Sequence, residues 1–265
     1  MDDKELWTTL LTEAVTKPGT ISEAYNRFWN YSPLNQMLAL WECRVRGIQP
    51  GPIASFMAWK RQGRWVKKGE HAIELCMPVT KKRMEKDKNG VETEGVFTLF
   101  IFKKNWFVLS QTDGPELPQP EPVPDWDKVR ALEALGVTEE AFRDTDGNAQ
   151  GYATRQSIAV NPLAVNVHKT TFHEVAHVLL GHTQEGICND GERTPRTIRE
   201  VEAEAVALIC CESLGLPGAD EARGYIQHWA DGEKIGERSA QKIFKVAGQI
   251  LKAGRPAETK SEQAE

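Results

Sequence analysis

The chain has 265 residues, of which 40% are hydrophobic and 27% charged, and its formal net charge is −5. This composition is typical of a soluble globular protein with one large domain or two modest ones, and it excludes a fibrous, a wholly disordered and a channel-forming chain. No stretch approaches the roughly 20 consecutive apolar residues that a membrane span needs, so no membrane partner is expected.

The first part of the chain predicts helices followed by strands. Apolar residues recur at steps of three and four through residues 6–15, which indicates one face of a helix. The predicted helices cover residues 6–15, 21–30, 33–46 and 55–62. The predicted strands cover residues 72–79, 96–103 and 105–111, and Asn89-Gly90 predicts a tight turn between the first two.

The second part predicts mainly helices. They are expected at residues 126–135, 137–143, 169–181, 197–214, 218–230 and 239–253. One strand is expected at residues 151–160. Residues 254–265 are polar and predict a disordered tail.

A proline-rich segment separates the two parts. Residues 113–125 contain five prolines, which is typical of a semi-rigid linker. Residues 1–112 hold 17 basic and 12 acidic residues, whereas residues 113–265 hold 16 basic and 26 acidic residues. Opposite charge in the two parts predicts two domains with different partners. The predicted fold class is therefore α+β: a small α/β domain at residues 1–112, a linker at 113–125, a mainly helical domain with a small sheet at 126–253, and the tail.

The cysteines and the amino terminus predict a cytoplasmic protein. The five cysteines are scattered and form no CxxC pair. An odd number without such pairs indicates reduced thiols rather than a disulfide framework. The acidic start has no basic segment followed by an apolar core, so no secretory signal is expected.

The strongest chemical motif is HExxH at residues 173–177. His173 and His177 are four residues apart, so on a helix both imidazoles can reach one ion. Glu174 can then accept a proton from water that the ion polarises. The motif predicts a divalent metal site, with Zn²⁺ as the expected ion and Glu174 as the catalytic base. The alternative is a pair of solvated surface histidines.

A third ligand is expected from the following helix. A hydrolytic zinc site takes three protein ligands and leaves one position open. Glu200, Glu202 and Glu204 precede the apolar run at residues 205–216. Isolated buried carboxylates are costly unless they are paired or bound to a metal. Glu200 and Glu204 share one helix face, whereas Glu202 points roughly the opposite way.

This arrangement resembles that of the gluzincin metallopeptidases, in which a second helix supplies a glutamate ligand. The resemblance implies Glu200 as the ligand and Glu204 as the outer partner of a ligand histidine, with Glu204 as ligand the main alternative. Glu202 is expected to be a solvated helix acid. His182 is expected to line the pocket or to bind the transition state, unless it is an ordinary surface histidine. His168 has the same two interpretations. In zincin-like folds a strand before the motif helix, here residues 151–160, lines the cleft and can pair with an extended peptide; the alternative is an ordinary structural strand.

A second constellation combines aromatic rings with cations. Residues 59–70 read WKRQGRWVKKGE and interleave two indoles with five cations. Single-stranded nucleic acid needs this combination, because cations bind phosphates and flat rings stack with unpaired bases. The candidate contacts are Trp59, Lys60, Arg61, Arg64, Trp65, Lys67 and Lys68. The alternative is that the tryptophans form the core and the charges are only solvated.

Both constellations occur together in the ArdC-like antirestriction proteins of plasmids and other mobile elements, which this chain resembles. The first-domain resemblance rests on the segment from Tyr31 to Asn35 and on residues 59–70, and the second on residues 171–182 and 199–204. It implies an N-terminal domain that binds single-stranded DNA, to which Tyr31 and Asn35 would contribute. It also implies a C-terminal zincin-like metallopeptidase domain, and protection of incoming DNA from restriction.

Two other functions remain open. One is a metallopeptidase regulator that cleaves a repressor or phage protein, with the first domain docking this protein or peptide substrate. The other is a single-strand-binding module whose zincin domain is non-catalytic.

Overall fold

The computed structural model describes residues 3–86, 92–117, 123, 125–143, 149–184, 196–229 and 235–256. The helices are α1 (Asp3–Thr16), α2 (Thr20–Phe28), α3 (Pro33–Arg46), α4 (Phe56–Arg61), α5 (Lys128–Leu135), α6 (Val167–Leu179), α7 (Arg196–Leu214), α8 (Ala219–Trp229) and α9 (Glu237–Ala253). The strands are β1 (Ile53–Ser55), β2 (Trp65–Val66), β3 (Ile73–Lys86), β4 (Glu92–Val108), β5 (Thr112–Asp113), β6 (Thr138–Glu139), β7 (Gly151–Thr154) and β8 (Ser157–Val160). They confirm the predicted mixture of helix and sheet. In this described part of the chain, no helix has the length and apolar character to cross a bilayer.

Tertiary contacts divide the chain into two compact units. The helical unit comprises Met1–Pro33 with Glu121–Glu265, and the sheet unit comprises Leu34–Pro120. This division differs from the predicted domains, which place residues 1–33 with the basic first domain. The reason is that α1 packs on α7, α8 and α9 and that α2 packs on α7, all within the helical unit.

The helical unit is built around α7, which is buried on all sides over residues 201–213. A helix with such an apolar circumference belongs in a core. α6, α8 and α9 pack against it. A small sheet in the order β6-β8-β7 lies against α6, with β6 parallel and β7 antiparallel to β8. β7 is therefore an edge strand next to the helix that carries HExxH.

A buried ion pair attaches the first two helices to this core. Arg223 on α8 pairs with Glu212 on α7 and donates a hydrogen bond of 2.7 Å to the carbonyl of Val15. Glu212 in turn accepts a hydrogen bond of 3.1 Å from the backbone N–H of Ile21. The pair thereby satisfies backbone groups at the end of α1 and near the start of α2.

The sheet unit contains α3, α4, a three-stranded sheet in the order β1-β4-β3 and the short ribbon β2–β5. β3 and β4 form a long antiparallel pair. The core residues Ile53, Ile73, Leu75 and Val108 are almost fully buried. Glycine and proline at residues 50–52 end the helical pattern of α3 before β1 begins.

A β-bulge makes one strand of two predicted ones. Ile73 pairs with Trp106, but the next residue, Glu74, pairs with Lys104, so Asn105 is the extra residue on β4. The predicted strands at residues 96–103 and 105–111 are therefore largely one strand, which is followed by a short 3-10 turn at Leu109–Gln111. The chain bends at the bulge without leaving the sheet.

Two predictions for the helical unit are wrong. Residues 137–143 do not form a helix, because Thr138 and Glu140 donate backbone hydrogen bonds to Gln156 and Ile158 beside β8. Residues 151–160 form the β7–β8 hairpin rather than one strand, because the chain reverses at residues 155–156. The predicted Asn89-Gly90 turn and most of the predicted tail lie outside the described residues.

Candidate functional site

The HExxH residues lie near the end of α6, which closes with a Schellman motif. Gly181 adopts a left-handed φ of 76°, and the N–H of His182 bonds to the carbonyl of His177 at 2.9 Å. A side chain at Gly181 would be strained in this conformation. The reversal brings His182 back along the helix and places its ring 5.1 Å, centroid to centroid, from that of His177.

α7 brings the third acidic group to the two histidines. The Nε2 atoms of His173 and His177 are 3.0 Å apart, and each lies close to Oε2 of Glu200, at 3.5 and 3.6 Å respectively. Four-coordinate ligands at about 2.1 Å from a metal are separated by roughly 3.4 Å, so the triangle has suitable dimensions for one ion. Among the described residues this is the group of three ligand atoms that fits a metal ion.

Glu204 binds the ring nitrogen of His173 that points away from the metal site, Nδ1. Its Oε2 lies 2.7 Å from Nδ1 of His173, and its Oε1 lies 2.7 Å from Nζ of Lys169. Because an ionised carboxylate can only accept, Nδ1 of His173 carries a proton, and Nε2 is the ring atom that faces Glu200. This geometry places Glu204 outside the triangle.

A hydrogen-bond chain through His182 to Glu202 orients His177. Nδ1 of His182 lies 3.0 Å from Nδ1 of His177, and Nε2 of His182 lies 3.0 Å from Oε2 of Glu202. Glu202 accepts, so His182 donates from Nε2, accepts at Nδ1, and fixes the proton of His177 on Nδ1. Nε2 of His177 then carries a lone pair, with which it can bind an ion.

The expectation of a solvated Glu202 is wrong. Its exposed fraction is 2%, and its carboxylate binds His182. Helix geometry correctly places Glu202 on the side of α7 opposite Glu200. That side faces protein rather than water, because other elements surround α7 on all sides.

Burial and neighbouring charges shift the pKa values of the cluster. Burial alone would lower the pKa of His173, but Glu200 and Glu204 outweigh it and raise the pKa to about 9. The His173 ring, as a hydrogen-bond donor, and the neighbouring His177 ring hold the pKa of Glu200 far below its usual range. Burial lowers the pKa of His182, which keeps its ring neutral as the hydrogen-bond chain requires. Burial raises the pKa of Glu174, in the direction that suits a general base.

The cluster lines a cavity of about 730 Å³. Gly151 at the start of β7 approaches α6 closely: a Cβ there would lie 3.2 Å from Cγ of Glu174. Tyr152 and Ala153 continue the wall along the edge strand, and Arg199 and Tyr225 also line the cavity. His168 lies at the start of α6, is exposed and is not among the lining residues.

The two tryptophans of residues 59–70 have different environments. Trp59 is 2% exposed, and its Nε1 donates to the carbonyl of Phe107 at 2.8 Å. Its ring is part of the core, so a base could stack on it only after local unfolding. Trp65 is 61% exposed and keeps a free face for stacking.

Two further candidates, Arg64 and Lys67, donate hydrogen bonds to neighbouring residues. The guanidinium of Arg64 donates to Thr112 and to the carbonyls of Gly114 and Pro115, which fixes the chain after β5. The side chain of Lys67 donates to the carbonyl of Ser110 at 2.9 Å.

Asn35 bonds to both the N–H and the carbonyl of Cys76 at the edge of β3. Its amide therefore has a structural role.

The remaining candidates are more accessible. Lys60, Arg61 and Lys68 are exposed, and within the described part of the chain their side chains have no ion pair. Tyr31 is half-buried, and burial raises its pKa to about 12. The exposed set on residues 59–70 is thus Lys60, Arg61, Trp65 and Lys68.

The pairing of His182 with Glu202 was not predicted from the sequence, whereas the strand beside the cavity was. Gly181 immediately before His182 was a usable signal, because glycine after a helix favours the Schellman reversal. Glycine at residue 151 gave no comparable signal, since its close approach to α6 depends on how the sheet packs.

The comparisons with known proteins find one matching family model and similar solved structures. Residues 12–105 match the model of the N-terminal domain of anti-restriction factor ArdC. The chain is similar to the metal-free structure of antirestriction protein ArdC from the R388 plasmid, with 20% identity over 96% of each chain and a TM-score of 0.55. The Mn(II)-bound structure of that protein matches with 19% identity over 94% of this chain and 97% of that chain, with a TM-score of 0.52. No curated protein sequence matches the chain.

Proposed function

The chain is ArdC-like, by the sequence of residues 12–105 and by the fold of nearly its whole length, and on this premise we propose that it is an antirestriction-type protein. In this proposal the sheet unit binds single-stranded DNA, and the helical unit carries a metal-dependent peptidase centre of the gluzincin type. The observation that carries the proposal is the triangle of His173, His177 and Glu200 with Glu174 beside it in one cavity.

The donor set fits a divalent cation. Two imidazole nitrogens and one carboxylate oxygen converge, each histidine is held by an outer hydrogen bond, and a cavity gives access. Zn²⁺ is the ion that such a set most often holds, and the related ArdC structure binds Mn(II). A divalent ion held there would supply Lewis-acid polarisation of a peptide carbonyl and of the attacking water.

The surrounding residues have the roles that peptide hydrolysis requires. Glu174 accepts the proton of the attacking water and returns it to the leaving amine, a task for which its raised pKa is suited. Among the described strands β7 lies at the edge of its sheet and along the cavity, where an extended peptide can add as a further strand. Gly151 keeps that edge close to Glu174.

Charge and exposure support the DNA-binding part of the proposal. Residues 34–120 hold 14 basic and 9 acidic residues, a net charge of +5, whereas the rest of the chain holds 19 basic and 29 acidic residues. Lys60, Arg61 and Lys68 are exposed near the accessible indole of Trp65 in the sequence. Cations with an exposed aromatic ring are what a sequence-tolerant single-strand binder uses.

Titration with labelled single-stranded and double-stranded oligonucleotides tests DNA binding. We expect the full chain to prefer the single strand and to lose affinity steeply with salt, because bound phosphates release counterions. Trp65→Ala should weaken binding by about 5-fold to 150-fold, the stacking contribution of one base. Val45→Ala is the matched control, since Val45 is 65% exposed on α3 of the same unit. Equal affinity of wild type and Trp65→Ala would count against this site.

Peptidase activity is tested separately, on a casein digest and a peptide library. We expect cleavage by the metal-loaded chain, loss of cleavage with a chelator, and loss of cleavage in Glu174→Gln with metal still bound. DNA binding without any cleavage would instead favour a module with a non-catalytic zincin domain. Cleavage without DNA binding would favour the peptidase regulator.

A further inference from the structure

Four phenylalanines form a row on the sheet unit, three on β4 and one on α4. The bulge in β4 places Phe107 on the same face of the strand as Phe100 and Phe102. Ile73 and Glu74 are consecutive on β3 and point to opposite faces, so their partners Trp106 and Lys104 do so as well. Phe107 consequently shares the face of Lys104, Phe102 and Phe100. Without Asn105 as the extra residue, it would lie on the other face.

Phe56 extends this row from β4 to α4. Its ring contacts that of Phe107 in an edge-to-face arrangement, with the centroids 6.3 Å apart. We call Phe56, Phe100, Phe102 and Phe107 the aromatic stripe. Phe100 and Phe102 are two positions apart on one strand, which corresponds to about 7 Å between their Cα atoms.

The stripe is exposed at its two ends, Phe100 and Phe56. Phe100 is 55% exposed, Phe56 is exposed, and Phe102 and Phe107 are half-buried. On the opposite face, Ile73, Leu75 and Val108 are buried in the core. A row of partly exposed phenylalanines indicates a binding surface, because isolated hydrophobic side chains are common at surfaces but contiguous ones are not.

Cations accompany the stripe. Lys104 is exposed on the same face between Phe102 and Phe107, and Lys60 lies one helical turn after Phe56 on α4. The sheet unit as a whole has a net charge of +5. This charge favours a polyanion with flat apolar groups as the ligand and disfavours an apolar protein partner.

We propose that the aromatic stripe is a base-stacking platform on which single-stranded DNA lies, with Lys104 and Lys60 binding its phosphates. This inference rests on the proposed DNA-binding function and adds a surface outside residues 59–70. An exposed phenylalanine ring can stack on a base, and the pairing is sequence-tolerant because every base has two flat faces.

The test compares two neighbouring residues on opposite faces of β4. Phe100→Ala should weaken the binding of the full chain to a labelled oligothymidylate by about 5-fold to 150-fold. Ile101→Ala is the control, because Ile101 is 41% exposed but points away from the stripe, and it should change the affinity by less than about 2-fold. Photocrosslinking with an oligonucleotide containing 5-iodouracil, followed by mass spectrometry, should identify Phe100, Phe102 or Phe107.

The outcomes separate this inference from the proposed function. If Phe100→Ala binds like wild type while Trp65→Ala is weakened, the stripe is not the platform but DNA binding stands. If the wild type itself does not bind the oligonucleotide, both fail. If sedimentation instead shows a dimer that Phe100→Ala dissociates at unchanged DNA affinity, the stripe is a self-association surface and the inference is overturned.

Discussion

The two histidines of the candidate centre are oriented by different kinds of groups. Glu204, itself held by Lys169, places a charged acceptor behind His173, whereas the neutral ring of His182, held by Glu202, lies behind His177. Both arrangements turn Nε2 of the ligand histidine towards the site. The second one depends on a histidine remaining neutral and on a buried carboxylate.

Outer hydrogen bonds of this kind typically contribute 10-fold to 100-fold to metal affinity. We therefore expect His182→Ala and Glu202→Gln each to weaken metal binding by about that factor. Calorimetric titration of the metal-free chain measures the effect. His168→Ala serves as the control because His168 is exposed on the same helix. If His182→Ala binds metal like His168→Ala, the hydrogen-bond chain has no part in orienting His177.

At this scale the sequence predicted the groups that helix geometry alone brings together. His173 and His177 share a face because four residues separate them, and the structure also brings Glu200 to them as the resemblance implied. The pairing of Glu202 with His182 was not predictable, because it depends on which elements surround α7. The structure also shows that Trp65 is exposed and Trp59 is buried. The sequence of residues 59–70 did not indicate which of the two rings is accessible.

Among the elements, the end of α6 has the most direct effect on the site. Gly181 adopts the left-handed conformation that reverses the chain and brings His182 back to His177. Any other L-residue there is strained by about 1–2 kcal/mol. The helix end and the hydrogen-bond chain of the centre are therefore one structural feature.

Gly181→Ala should lower the free energy of unfolding by about 1–2 kcal/mol and should also weaken metal binding. The matched control is Gly224→Ala in α8, where helical backbone and open space around the Cβ predict a gain of about 0.5–1 kcal/mol. Urea unfolding and metal titration provide the two measurements. A Gly181→Ala chain as stable as the wild type would contradict the role of the left-handed residue.

Elements were predictable where one periodicity ran without interruption, as in α3 and α9. They were not predictable where pairing with a distant segment determines the secondary structure. Thr138–Glu139, for example, pairs with β8 instead of forming a helix. The bulge at Asn105 joined two predicted strands and changed the faces of the residues that follow it. That change of faces, invisible in simple alternation, creates the aromatic stripe.

For the whole molecule, the charge division follows the compact units. The sheet unit is basic and the helical unit acidic. The proline-rich segment lies where the sheet unit ends at Pro120, so composition located one junction. It could not locate the other, because the attachment of residues 1–33 depends on buried contacts more than 190 residues apart, such as Ile21 with Glu212.

Arg223→Met should destabilise the helical unit by about 3–5 kcal/mol, since it leaves the buried carboxylate of Glu212 without its partner. Lys17→Met removes the exposed ion pair with Glu13 and should cost less than about 1 kcal/mol. Urea unfolding followed by circular dichroism compares the two variants. Equal midpoints would refute the anchoring of α1 and α2 by this pair.

The most direct test of the central claim is a titration of the metal-free chain with Zn²⁺ and Mn²⁺ in the wild type, Glu200→Ala and Glu174→Ala. We expect the wild type and Glu174→Ala each to bind one ion per chain. Glu200→Ala should lose much of its affinity, because Glu200 supplies a ligand oxygen and Glu174 does not. Equal affinity in Glu200→Ala and the wild type would contradict the assignment of His173, His177 and Glu200 as the metal centre.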